Sequence, residues 1–328
     1  MRVNTGSTQA PQTGRKCGDG DSPRFAFVEW DQAGRRTVPQ RLAQTPGCRF
    51  DSYTAHVNAA HETVTTELGS VDGRIAPSSE MTIPATDEGL LRGDGVFEVI
   101  RVYGGTPFAL GQHLDRLERS AANLRLEEVF RPELEAEIPE LLGARGGDDF
   151  DGVLRIVVTR GGRRLLFTEQ AAIMPSGVRL ALVTYAPTHV LDGIKSLSYG
   201  ANMLCSRLAR ERGFDEALLV TPHGRVLEAP TSTIFWVDPE GTLCTPPLDE
   251  HILASITRDS IMQLLAVEER SCPLDDLLAA REAFLASTIR EVQSIGAVED
   301  TEFEEGPRTR EAAAAFRAHV EQELARQP

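Results

Sequence analysis

Apolar and polar positions alternate through Val96–Tyr103. Phe97, Val99, Arg101 and Tyr103 fall on one face; Val96, Glu98, Ile100 and Val102 fall on the other. A two-residue period predicts a strand. Gly104–Gly105 then reads as a turn and Pro107–Leu110 as a short return strand. The period changes along Gln112–Leu126, where Leu114, Leu117, Ala121 and Leu124 recur at helical spacing. Pro132–Leu142 predicts a second helix. Val153–Thr159 and Val178–Tyr185 read as strands with a basic loop, Arg160–Arg164, between them. Together these elements predict a small α/β domain over 67–186 and a connection at 187–194 carrying Pro187 and Gly193.

A larger domain follows over 195–328. Its elements are a helix at Ala201–Arg212 closed by Gly213 and a hairpin of Glu216–Val220 with Arg225–Glu228. Strands follow at Thr233–Val237, Thr242–Thr245 and Ala283–Ser287, with helices at Asp249–Glu268 and Arg308–Arg326. The fold class is α/β, an α+β arrangement of two domains. Residues 1–66 show no sustained period beyond a short strand at Phe25–Trp30. They read as a disordered or non-native extension, with Val64 an alternative start.

The net charge of −15 argues against binding a phosphate backbone as the main task. Five scattered cysteines without a CxxC pair point to neither a disulfide framework nor a zinc site. No apolar run approaches the roughly 20 residues of a membrane span, and no secretory signal opens the chain. A cytoplasmic enzyme without nucleic-acid or membrane partners is the expectation.

Lysine usage changes the picture. Of 34 basic residues only Lys16 and Lys195 are lysines. Arginine stays protonated and forms no imine, whereas lysine can lose its proton and act as a nucleophile. Lys195 thus reads as a residue kept for covalent chemistry, against the alternative that one codon survived by chance. A cofactor carried on a lysine imine also needs an acid for its ring nitrogen, donors for its phosphate and donors for the substrate carboxylate. Glu228, at a strand end before Ala229–Thr233, suits the first need; its ordinary alternative is a solvated strand end. The Ser255-Ile256-Thr257-Arg258 run suits phosphate only at a helix N-terminus. A break in the long helix near Leu253–Ser255 is therefore expected, with a new helix from about Ile256. Ser287–Thr288 offers similar donors. Arg116 is a further candidate, or else a surface ion pair with Asp115 or Glu118.

The ordered set Gly93-Asp94-Gly95-Val96-Phe97-Glu98, His113-Leu114-Asp115-Arg116-Leu117, Ile194-Lys195-Ser196-Leu197, Gly213-Phe214-Asp215-Glu216-Ala217, Val226-Leu227-Glu228, Ile256-Thr257-Arg258 and Phe284-Leu285-Ala286-Ser287-Thr288 resembles the class IV aminotransferases. These are the fold type IV pyridoxal phosphate enzymes. The resemblance spans about Leu68 to Val298. It implies a homodimer with a barrel-like, strand-rich larger domain and pyridoxal 5′-phosphate as cofactor. By the same resemblance Lys195 is the imine lysine and Glu228 the partner of the pyridine nitrogen. Arg116, Ile256, Thr257 and Thr288 bind the phosphate, Leu253 packs behind the ring, and Thr231 and Ser232 lie beside the cofactor. Two positions depart from the usual pattern: Ser255 stands where glycine is usual, and Thr233 where asparagine is usual.

For the substrate, the resemblance to D-amino acid aminotransferases is strongest around Gly93–Val99. Branched-chain enzymes usually carry glycine at the position of Val99. The D-enzymes' usual tyrosine and lysine are Phe97 and Arg101 here, and their arginine–histidine clamp is altered to Thr159–Leu165. Arg101 with Arg163 or Arg164 is the expected carboxylate clamp, the alternative being that the loop arginines are solvated, and Phe97, Val99 and Ser287 are further expected substrate contacts. The expected reaction moves an amino group between a D-amino acid, with (R)-primary amines as further donors, and a keto acid such as 2-oxoglutarate or pyruvate. The alternatives are a branched-chain L-amino acid aminotransferase, an aminodeoxychorismate lyase, or an idle cofactor-binding protein.

Overall fold

The computed structural model describes residues 67–127 and 129–326. The expected extension over 1–66, the strand expected at Phe25–Trp30 and the expected alternative start at Val64 lie outside the described residues.

In chain order the first part holds β1 (Leu68–Val71), β2 (Arg74–Pro77), α1 (Glu88–Arg92), β3 (Gly95–Tyr103), β4 (Thr106–Pro107), α2 (Leu110–Leu124), α3 (Arg131–Arg145), β5 (Gly152–Thr159) and β6 (Arg164–Gln170). The six strands form one antiparallel sheet in the order β2-β1-β6-β5-β3-β4. The alternation of β3 divides the site from the core. Val96, Ile100 and Val102 join Leu114, Leu117 and Ala121 of α2 and Leu134, Ile138 and Leu141 of α3 in one apolar cluster. Glu98 shares that helix-facing side and is fully buried, while Phe97 and Val99 look the other way, into a cavity.

The second part holds β7 (Val178–Thr184), α4 (Gly200–Glu211), β8 (Glu216–Val220), β9 (Arg225–Val226), β10 (Thr233–Val237), β11 (Leu243–Thr245), α5 (Ile256–Leu264), β12 (Glu268–Glu269), β13 (Cys272–Pro273), α6 (Leu274–Leu278), β14 (Glu282–Ser287), β15 (Glu291–Val298), β16 (Thr301–Glu302) and α7 (Pro307–Leu324). A ten-stranded sheet runs β12-β11-β10-β14-β15-β7-β8-β9-β13, with β16 on β15. Its central strands are buried on both sides, as the unbroken apolar runs of β8 and β10 require.

Three expectations are corrected. The strand expected over Val178–Tyr185 in the first domain is β7, Val178–Thr184, and it lies between β15 and β8 in the second sheet, parallel to both. Arg160–Arg164 does not lead directly to it: β6 intervenes and pairs with β5. The expected helix over Asp249–Glu268 is only α5, Ile256–Leu264, and the break foreseen before Ile256 is present.

Two glycines let the parts meet. Gly93 caps α1 at φ 67°, in the left-handed region that L-residues rarely occupy. At Gly95 an added Cβ would stand 2.5 Å from Val158 O and 2.7 Å from Leu197 Cδ1. That closeness reflects a short ladder in which the Lys195–Leu197 segment runs beside β3. Phe97 N–H donates to Lys195 O at 3.0 Å and Leu197 N–H donates to Gly95 O at 2.9 Å.

Candidate active site

The backbone of Lys195 is fixed from both sides. Besides the ladder to β3, its N–H donates to Ser120 Oγ at 3.1 Å. Ser120 belongs to a polar stripe on α2, His113, Arg116 and Ser120, spaced so that all three share one face. The Nζ of Lys195 lies 4.4 Å from the centroid of the Phe97 ring. Withdrawal from water, helped by the nearby Arg116 charge, pulls its pKa down to about 8. At neutral pH a fraction of this amine is therefore unprotonated and nucleophilic.

Arg116 is not a surface residue. Its Nε and Nη2 donate to the two oxygens of Glu98, each at 2.7 Å, and its Nη1 donates to Ala254 O at 3.0 Å. The partners expected for it, Asp115 and Glu118, are instead bound by Arg131. Burial pushes Glu98 up, but the Arg116 charge and the bonds from Arg116 and His113 outweigh it and hold the carboxyl at about 2. His113 lies 2.7 Å through Nδ1 from Glu98. Burial keeps its pKa below the usual value despite that carboxylate, so the ring is neutral and Nδ1–H is the donor. Glu98, His113 and Ser120 were not assigned site roles from sequence. Strand alternation through Glu98 and the helical spacing of His113 and Arg116 are the signals that place them together.

A cavity of about 190 Å³ is bounded by Arg116, Lys195, Glu228, Leu253, Ser255 and Thr288. Thr231, Ser232 and Ser287 also line it. Burial raises Glu228 to about 8, against the Leu253 amide and the Lys195 charge; the Leu253 N–H lies 3.4 Å from both of its carboxylate oxygens. Such a carboxyl favours a cationic partner strongly. Beside the same cavity, Ser255 caps α5 in extended backbone (φ −85°, ψ 131°), its Oγ accepting from Arg258 N–H. That conformation needs no glycine, so serine replaces the usual residue without strain. Ile256 and Thr257 form the first turn of α5. The Thr257 Oγ1 and Ser232 Oγ are buried without a partner.

A second cavity of about 390 Å³ shares Lys195, Arg116, Thr231, Ser287 and Thr288 with the first and extends over Phe97, Val99, Val157 and Met203. It does not reach the expected clamp. Arg101, at the far end of β3, binds Asp151 and the Gly152 carbonyl. Arg163 pairs with Asp72 and Arg164 with Glu137. These ion pairs, with carboxylates distant in sequence, engage all three, and none of the three lines the cavity. Besides Arg116, the arginines on its wall are Arg155, paired with Glu169, and Arg290, paired with Glu216 at 2.9 Å. Tyr199 also lines it, edge-on to Phe97 at 5.3 Å between ring centroids.

The family model for amino-transferase class IV matches residues 95–298. The chain belongs to the class IV aminotransferases. A Methanocaldococcus jannaschii protein with the provisional name branched-chain-amino-acid aminotransferase is 34% identical, over 68% of this chain and 84% of its own length. The D-alanine aminotransferase of Bacillus licheniformis is 30% identical, over 70% of this chain and 87% of its own. Among solved structures, the fold IV-transaminase CpuTA1 of Curtobacterium pusillum superposes with a TM-score of 0.70 at 29% identity, covering 79% of this chain and 99% of that one. The architecture is that of fold type IV transaminases.

Class IV aminotransferases depend on pyridoxal phosphate, and the residues present fit that group. Three of the five N–H donors of Arg116 are used internally, which leaves two for an anion. The α5 amides and the unpartnered Thr257 hydroxyl offer the donor types a phosphate takes at a helix N-terminus. Glu228, raised and secluded, would gain most from a protonated ring nitrogen.

Proposed function

We propose that this class IV aminotransferase moves an amino group between a D-amino acid and an α-keto acid such as 2-oxoglutarate or pyruvate, with (R)-primary amines as further donors. The observation that carries the reading is Val99. It lines the larger cavity at the position where branched-chain enzymes usually have glycine, and its side chain takes up the room that glycine leaves. Arg155, on the same wall and close enough to bear on the charge of Lys195, supports a carboxylate-bearing substrate. It replaces the expected clamp of Arg101, Arg163 and Arg164.

The bound cofactor acts as an electron sink that makes the substrate α-proton acidic. The chain supplies the rest. Lys195 Nζ would hold the cofactor and, as a free amine, would accept the substrate α-proton and deliver it at the other end of a 1,3-proton shift. Glu228 would pair with the ring nitrogen and favour its protonated form. Arg116, Ile256, Thr257 and Thr288 would hold its phosphate, and Leu253, Thr231 and Ser232, which line the same cavity, would contact it. Phe97, Val99 and Ser287 bound the substrate. The functional unit is a homodimer.

A branched-chain L-amino acid aminotransferase is the second reading, favoured by the name of the archaeal relative and by the apolar wall of Phe97, Val99, Val157 and Met203. Chiral analysis of the glutamate formed from D-alanine and 2-oxoglutarate separates the two. D-glutamate is expected; formation of L-glutamate from L-leucine, with none of the D-product, would overturn the first reading.

A further inference from the structure

Outside the catalytic machinery, His189, Asp192 and His251 bring two imidazoles and a carboxylate together, with ligand atoms all within 4.8 Å of one another. Two of them sit on the connection and the third on the turn before α5, 59 residues from Asp192. No sequence motif could announce them. The His251 Nδ1 lies 2.6 Å from Asp192 Oδ2, and His189 Nδ1 lies 4.0 Å from the same oxygen. The two rings are 3.8 Å apart between centroids.

We infer that His189, Asp192 and His251 form a site for a divalent transition-metal ion of the zinc class. The donor set, two nitrogens and one oxygen, suits zinc, nickel or copper and not magnesium or calcium, which take oxygen ligands. Zinc arms of about 2.0–2.2 Å set ligand separations of roughly 3.3–3.5 Å in a tetrahedron. The separations at Asp192 Oδ2 bracket that range, so small side-chain rotations close the site. All three residues are partly or fully exposed, which gives the ion a path in and leaves a fourth position for water. Asp192 and His251 also line the cavity that holds Lys195 and Glu228. A bound ion would therefore fasten the connection to the turn before α5 at the cavity wall.

The test uses the full-length, cofactor-loaded enzyme without substrate. Zinc is titrated in competition with a chromophoric chelator, on the wild type and on H189A, D192N and the H189A/H251A double variant. One ion per chain is expected. Affinity should fall by about tenfold or more in each single variant and vanish in the double variant. Hydrogen exchange on the wild type provides a second readout: zinc should slow the amides of 187–194 and 248–251. Undiminished binding in the double variant, or the absence of binding to the wild type, would overturn the inference. Unchanged exchange in both segments at saturating zinc would do the same.

Discussion

At the scale of single residues, the site rests on four ionisable groups: Glu98 and Arg116, which hold their charges as a pair, and Lys195 and Glu228, whose surroundings oppose theirs. Glu98 and Arg116 form a buried pair in which each needs the other. Glu98→Gln leaves a guanidinium buried without its counter-charge, a change that costs about 3–5 kcal/mol in comparable pairs. Urea unfolding of the cofactor-free protein should show this loss. The loss should shrink once the cofactor phosphate is bound, whereas a simple packing defect would cost both forms alike. Glu228 and Lys195 make the cofactor-free protein sensitive to pH. Glu228 is raised from 4.5 to about 8, so its contribution is fully present below 4.5 and lost as pH rises to about 8. Lys195 is lowered from 10.5 to about 8, so its contribution is present above 10.5 and lost as pH falls to about 8. Stability from these two groups should thus pass through a minimum near pH 8. Glu228→Gln should remove the acid-side slope and make the cofactor-free protein more stable than wild type at pH 7.5. A variant whose stability follows the wild-type pH profile would contradict this.

At the scale of elements, the site depends on how strand and helix periods intersect. The alternation of β3 sends Glu98 toward α2 and Phe97 with Val99 toward the cavity, and the α2 face sends His113, Arg116 and Ser120 to meet them. Gly95→Ala should push the Lys195–Leu197 ladder off β3 and weaken cofactor binding, measurable by the retained visible absorbance after dialysis. Ser255→Ala should lower stability by about 1 kcal/mol through the lost helix cap, and Ser255→Gly by only a few tenths. Much of this was legible in the sequence. The period of Val96–Tyr103, the break before Ile256 and the isolation of Lys195 among arginines are all local signals. The clamp was not legible. Whether Arg101, Arg163 or Arg164 faces a cavity depends on Asp151, Asp72 and Glu137, carboxylates brought close only by folding. Arg155 reads from sequence as one more cation on a strand, and β6 and β15 were missed because neither alternates cleanly.

At the scale of the whole molecule, the Lys195 segment hydrogen-bonds to the first sheet while Glu228 and the start of α5 come from the second part of the chain. The groups proposed for catalysis thus converge from both parts of the chain on one cavity. Among the described residues no helix is long and apolar enough to cross a membrane. The most direct test is a half-reaction on the purified enzyme. Bleaching of the bound cofactor's visible band is followed as D-alanine, D-glutamate, L-leucine and (R)-1-phenylethylamine are added separately, with Lys195→Ala as the control that lacks the band. Rapid bleaching by the two D-amino acids and little by L-leucine is the predicted result. Bleaching by L-leucine alone would contradict the account and make the enzyme a branched-chain aminotransferase.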